Sequence, residues 1–507
     1  MIPKIKNNGR WFLVVALIVG LVLRMKDIFQ RDFWYDEAFT GIAVRESFSG
    51  LLSMIRQDVH PPLYYFSLKI FAGFFDYSVF GIRFWSLLFG AASIVAVFYL
   101  SKKLFGARAA VFASFVTAVS PFAVQYSAEG RMYAMFVFFV LIAVYFFVIG
   151  LQEKKSNGFL WAGFFVGLSA LTHYMGLIML PIFYLAYLGW KIMEEKILEN
   201  SISRESFQKL LKSFLPEKKL ILGLIIFGLI FAFWLPNFIF HLGKSKNSNL
   251  DWIKPTNFGD IPVNVQMFVF GTPIGEMSAG MPSPNEIEGV NWLSLSVLFT
   301  IFLTGLFVWS LGREKKRKEI FLVWIFSLGF MIEIWALSLL GKNFFVARYL
   351  MSAGFFIFIL IGYWLSKMRL LYLAVTLAVY FSISFLAVDV GYSKGWNKFQ
   401  AEAQKYSDYN FYVLNSFDYV IAKYYWGANR LILYNLDWPI YNPDYWAAIG
   451  KTLKRTEKFS DLKKAEKSLI ISNGPLPQEK KPDPEYDSDD WEIFSQYDNI
   501  FIYRLKK

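Results

Sequence analysis

The chain has 507 residues, 56% hydrophobic and 20% aromatic, with only 18% charged. Soluble globular chains carry roughly 25% charged residues, so a fold that hides its own apolar surface from water is excluded. The net charge of +13 does not mark a nucleic-acid face, because Lys and Arg gather in short loops between apolar runs, as membrane topology requires. There is no cysteine, which excludes disulfides, thiolate metal sites and cysteine nucleophiles.

A basic start (Lys4, Lys6, Arg10) precedes the apolar run Trp11–Leu23. No small-residue cleavage site follows it, so it reads as an uncleaved first helix with Arg24 and Lys26 snorkelling at its outer end. Ile42–Arg56 has Val44, Phe48, Leu51, Leu52 and Ile55 on one side of a helical wheel, the pattern of a helix lying in the interface. Leu63–Phe75 is apolar but too short to span, and is expected to lie in or dip into the interface.

Spans are expected at Arg83–Leu100, Ala109–Val124, Met132–Leu151, Phe159–Leu171, Gly176–Trp190, Leu220–Phe240, Trp292–Leu311, Ile320–Leu340, Phe344–Leu365 and Leu370–Val388. With the first helix they make a polytopic α-helical membrane protein of about eleven transmembrane helices. An N-terminus on the cytoplasmic side puts the basic loops beginning at Lys102, Lys154, Lys191, Arg313 and Lys367 inside. The first loop (29–82), the loop 241–291 and the C-terminal part then face outward together.

Beyond about Asp389 short strands are expected at Phe411–Leu414, Tyr419–Tyr425, Leu431–Tyr434, Ser468–Ser472 and Asn499–Arg504. The division is a membrane module, 1–388, and a small α/β extracytoplasmic domain, 389–507. Trp426, Trp438, Tyr441, Tyr445 and Trp446 suit either sugar stacking or a small aromatic core.

Asp36 and Glu37, flanked by Trp34 and Tyr35, are the first candidates for chemistry, since an acid beside an acceptor hydroxyl can take its proton during attack. His60-Pro61-Pro62-Leu63-Tyr64-Tyr65 stiffens the end of the same loop. Glu129-Gly130-Arg131-Met132-Tyr133 forms another outer turn that can offer an arginine to an anion. Arg348 is expected at the outer end of its helix, where its fork of donors can hold a phosphate. The three histidines, His60, His173 and His241, form no metal-ligand pattern.

Together these stretches resemble the GT-C glycosyltransferases, within them the branch of protein O-mannosyltransferases and lipid A aminoarabinose transferases. Asp36-Glu37 is similar to their acidic motif, and His60-Pro61-Pro62-Leu63-Tyr64-Tyr65 to the Pro-Pro-Leu motif. Arg83-Phe84-Trp85-Ser86-Leu87-Leu88-Phe89-Gly90 resembles their Arg-x-x-Ser…Gly motif, and Glu129-Gly130-Arg131-Met132-Tyr133 the Glu-x-Arg-Met-Tyr signature. The resemblance implies a GT-C fold with juxtamembrane helices on the outer face of the cytoplasmic membrane. It implies a mannosyltransferase-like enzyme of the cell envelope that moves a hexose or pentose from a polyprenyl-phosphate donor to a hydroxyl on a lipid, glycan or protein, with inversion. Asp36 would be the general base, and Glu37, Asp58, His60, Glu129, Arg131, Tyr133, His173, Lys342 and Arg348 would bind substrate or position the base. The family pattern leaves metal use open, and Asp36, Glu37 and Asp58 offer oxygen ligands to a divalent cation. A lipid or solute transporter or flippase is the competing expectation. It calls for facing acids in mid-membrane and an internal repeat; only Glu333 lies deep in a span, and no repeat is visible.

Overall fold

The computed structural model describes residues 9–195 (without 31, 59 and 155), 213–245, 255–271 and 314–369 (without 342). Of the C-terminal part it describes 395–427 (without 407 and 415), 431–434, 454–456, 467–473, 491–497 and 500–506, and scattered residues lie between 208 and 380. The expected spans 292–311 and 370–388 therefore fall largely outside the described residues. Two compact units emerge, one of residues 1–27, 86–243 and 249–390, the other of residues 28–85, 244–248 and 391–507.

The first unit is a helical bundle. Among the described residues four helices are long and apolar enough to cross a membrane: Val79–Phe105, Tyr133–Glu153, Met175–Glu194 and Arg317–Leu340. Counting each of two bent pairs as one span raises the number to six. The bends correct two expected straight spans. One falls between Ala107–Val119 and Pro121–Ala128 (59°), the other between Lys218–Ala232 and Leu235–Gly243 (73°). Each has a proline just past the break, Pro121 or Pro236, and proline brings no N–H to the carbonyl four residues back.

Arg24 does not snorkel. It is fully buried and donates to Ala118 O (2.9 Å) and Thr117 O (3.3 Å), the carbonyls left open where the first of these pairs bends. A charge in a span here replaces missing backbone donors, which the bilayer cannot supply. The loop expected over 241–291 is also partly helical. Asp260–Phe270 forms a helix with Asn264 to Val269 buried, started by Asp260 Oδ2, which accepts from Asn257 N (2.7 Å) and Thr256 Oγ1 (2.9 Å). The helix expected from Phe344 starts only at Met351, so Arg348 lies in the turn before it.

The second unit begins with three short helices, α1 (Tyr35–Arg45), α2 (Phe48–Gln57) and α3 (Leu63–Gly73). The single interfacial helix expected over Ile42–Arg56 is split, because Ser47 caps α2 by accepting from Gly50 N (3.1 Å) while Glu46 and Ser47 are extended. The unit's other part is a six-stranded mixed sheet in the order β3-β2-β1-β4-β6-β5. The strands are β1 (Asn410–Val413), β2 (Leu431–Tyr434), β3 (Lys454–Thr456), β4 (Ser468–Asn473), β5 (Trp491–Tyr497) and β6 (Ile500–Leu505). β1 runs parallel to β2 and β4, and β6 antiparallel to β4 and β5.

Tyr419–Tyr425, expected as a strand, is the helix Ser416–Trp426 between β1 and β2. Its aromatic run suggests a strand, but two parallel neighbours need a crossover between them, and a helix supplies it. Trp426 packs on Phe399 (4.5 Å), Trp396 (5.5 Å) and Phe411 (5.8 Å), so it is partly enclosed in an aromatic cluster. The other four aromatics lie outside the described residues.

Candidate active site

In the second unit, Trp34 is extended and α1 starts at once, so Asp36 and Glu37 occupy its first turn. The structure separates these neighbours. Asp36 is partly exposed, whereas Glu37 is fully buried. Arg83 grips Glu37 with both arms, Nε to Oε1 at 2.8 Å and Nη2 to Oε2 at 2.7 Å. Arg83 also donates to Ile28 O (3.0 Å) and Asp32 O (2.8 Å), and its guanidinium lies over the Phe33 ring. All these bonds suit a buried pair, whose desolvation is compensated only when the remaining donors and acceptors are met.

The far end of α1 is held too. Lys69, buried on α3, donates to Val44 O (3.0 Å) in the last turn of the helix and to Glu46 O just past its end. Phe39 of α1 meets Tyr65 edge-on (6.5 Å). Tyr65 reaches Asp58 Oδ2 (3.4 Å), which also pairs with His60 Nδ1 (2.8 Å). Asp58 and His60 are thus joined to the helix of Asp36 through one aromatic contact.

In the first unit, Ser120 starts the helix Pro121–Ala128 by accepting from Ala123 N (3.2 Å), and the chain leaves that helix at Glu129. Glu129 and Arg131 are buried. Ser86 Oγ donates to Arg131 O (3.0 Å), and Gln125 Nε2 to Glu129 Oε1 (3.4 Å). Gly90 lets the preceding turn come close, since a Cβ there would lie 2.3 Å from Ser127 Oγ. Tyr133, which opens the next long helix, contacts the buried His173 ring (5.9 Å). His173 meets Tyr349 on its other side (5.1 Å), and the Arg348 guanidinium lies 5.7 Å from the Tyr349 ring. The Glu129–Tyr133 turn, His173 and the Arg348 turn therefore converge. Lys342 lies outside the described residues.

Two groups escaped the sequence argument. Arg83 was visible as a motif position but carried no role, because its partner is 46 residues away. His241, linked by Nδ1 to Tyr174 OH (2.7 Å), which accepts from Trp234 Nε1 (2.9 Å), gave no signal beyond being a histidine. Among the described residues no three His, Cys, Asp or Glu groups gather as a metal site, and both Glu37 oxygens are taken by Arg83.

These features define a class: a polytopic membrane protein with the GT-C glycosyltransferase fold. Similarity to ArnT of Cupriavidus metallidurans bound to undecaprenyl phosphate extends over 98% of both chains, with a TM-score of 0.57 at 12% identity. The Archaeoglobus fulgidus oligosaccharyltransferase in its apo form aligns over 93% of this chain and 70% of its own (TM-score 0.50, 14% identity).

Within that class, residues 59–204 match the dolichyl-phosphate-mannose-protein mannosyltransferase family. A stretch of 116 residues is 34% identical to YkcB of Bacillus subtilis (strain 168), a protein assigned to the mannosyltransferases. That stretch is 22% of this chain and 16% of the relative's length.

Proposed function

We propose that the chain is a membrane glycosyltransferase that moves a sugar from a polyprenyl-phosphate donor to an acceptor hydroxyl at the outer face of the cytoplasmic membrane. Asp36 takes the hydroxyl proton, the acceptor oxygen bonds to the anomeric carbon, and the bond from that carbon to the phosphate oxygen breaks. Configuration inverts, and polyprenyl phosphate leaves. Arg348, at the N-terminal end of the helix Met351–Leu365, is the group offered to the leaving phosphate, helped by the backbone N–H groups of that helix start. The family match over 59–204 and the undecaprenyl phosphate bound to the ArnT of similar fold support a lipid-linked donor. An outward-facing site fits such a donor, because nucleotide sugars are cytoplasmic.

The observation that carries the assignment of the base is the contrast within the acidic pair. Glu37 is enclosed and neutralised by Arg83, so it has no face for a substrate, while Asp36 retains one.

The test compares wild type with Asp36→Asn in membrane vesicles given radiolabelled undecaprenyl-phosphate mannose, glucose and aminopentose plus a lipid extract. Consumption of one donor by wild type, reduced at least 100-fold in Asp36→Asn at equal expression, is the expected result. Equal consumption by both removes Asp36 as the base. Movement of a donor lipid across the bilayer without loss of its sugar would favour a flippase.

A further inference from the structure

The sheet part of the second unit does more than follow the membrane module in sequence, because it grips the segment that carries the acidic pair. Asp32 is buried, and its Oδ2 accepts from Trp396 N (2.8 Å) at the start of the helix Gly395–Ala403. The next residue donates its backbone N–H to Tyr425 OH (3.0 Å), and its ring packs on Tyr424 (4.6 Å). Asp32 and Phe33 are thus both held by residues some 360–390 positions later in the chain.

Along α1 the grip continues. Gly41 lies flat against Tyr424; a Cβ there would come within 2.4 Å of that ring. Arg45, in the last turn of α1, donates to Tyr424 O (2.9 Å) and stacks its guanidinium 4.1 Å from the Tyr424 ring. Tyr424 OH in turn donates to Tyr77 O (3.1 Å). One helix of the C-terminal region, Ser416–Trp426, therefore meets the chain just before Asp36, in the middle of its helix and at its end.

We infer that Tyr425, Tyr424 and the Trp396 amide are positioning groups for Asp36, and that the C-terminal domain serves as the template that holds the base in register. The inference rests on the transferase assignment above. Exact placement matters there, because an acid acts as a base only when it is within hydrogen-bond reach of the proton it removes, and a displacement of about 1 Å can cost 100-fold in rate. None of the three groups needs to touch substrate.

The test uses the full chain in detergent with Tyr425→Phe, Asp32→Ala and Asp32→Asn. Arg504→Ala is the control, since it breaks an exposed pair with Glu492 and a ring contact with Phe494, both on the sheet and away from residues 32–45. Hydrogen exchange is followed over 32–45, and kcat and KM are measured with whichever labelled donor wild type consumes. Tyr425→Phe and Asp32→Ala are expected to speed exchange over 32–45 about tenfold. They should lower kcat about tenfold while KM stays within twofold. Asp32→Asn, whose amide oxygen still accepts from Trp396 N, should restore both. Unchanged exchange, unchanged kcat, or the same losses in Arg504→Ala would overturn the inference. A wild type that consumes no donor counts against the transferase assignment instead, and the exchange pattern then decides alone whether the grip exists.

Discussion

At the residue scale the telling feature is that two adjacent acids have opposite environments. Glu37 faces inward along α1 and is met by Arg83 on both oxygens with no exposure on either side. Removing one partner of such a pair leaves a buried charge uncompensated, at about 3–5 kcal/mol. Arg83→Met and Glu37→Leu should each lower the yield of folded protein in detergent, seen as loss of the monodisperse peak. The double variant should recover most of it, because an apolar pair of similar volume can replace a buried ion pair. If the double variant is as poor as the singles, Arg83 acts mainly through its bonds to Ile28 O and Asp32 O. Arg24 follows the same logic with a different partner, since its charge sits on helix carbonyls rather than on an acid.

At the element scale, the helix Val79–Phe105 explains why a motif of the Arg-x-x-Ser…Gly form recurs at i, i+3 and i+7. Arg83 belongs with Glu37. Ser86 and Gly90 belong with the segment from Ser127 to Arg131, one by a hydrogen bond to a carbonyl and the other by having no side chain. Gly90→Ala would drive a methyl into Ser127, and overpacking of this kind costs about 1–3 kcal/mol. Thermal stability in detergent should fall accordingly. Ser127→Gly in the same chain should restore it, whereas Ser127→Ala should not, because the Cβ of Ser127 is itself only 2.4 Å from the added carbon.

At the scale of the whole molecule, the second unit holds tyrosines of the helix Ser416–Trp426 in apolar surroundings. Burial pushes Tyr424 up to about 12 from 10.0, with smaller opposing effects from Arg45 and Arg83, and pushes Tyr419 up to about 12 as well. Burial raises Tyr425 in the same direction. A folded-state value above the unfolded one means the folded protein keeps its proton longer. Stability from these groups is therefore complete below about pH 10 and is lost as pH rises from 10 toward 12. Tyrosinate absorbance and unfolding should accordingly rise together in that window, and Tyr424→Phe should weaken the dependence. Flat stability up to pH 12 would show that these phenols are not enclosed.

Much of this protein is written in local pattern. Apolar runs gave a polytopic membrane chain, the basic loops gave an expected orientation, and short motifs brought out Asp36, Glu37, Glu129, Arg131 and Arg348, because composition and motif spacing are properties of neighbouring residues. The tertiary structure decided what depends on partners far away. It showed which acid of the pair is sealed, since Arg83 lies 46 residues on, and that Arg24 completes a bent helix, since its carbonyls lie more than 90 residues on. It turned Tyr419–Tyr425 from an expected strand into a crossover helix, because two parallel strands require one. It also set Trp396, Tyr424 and Tyr425 against the segment that holds Asp36, a pairing that no local periodicity encodes.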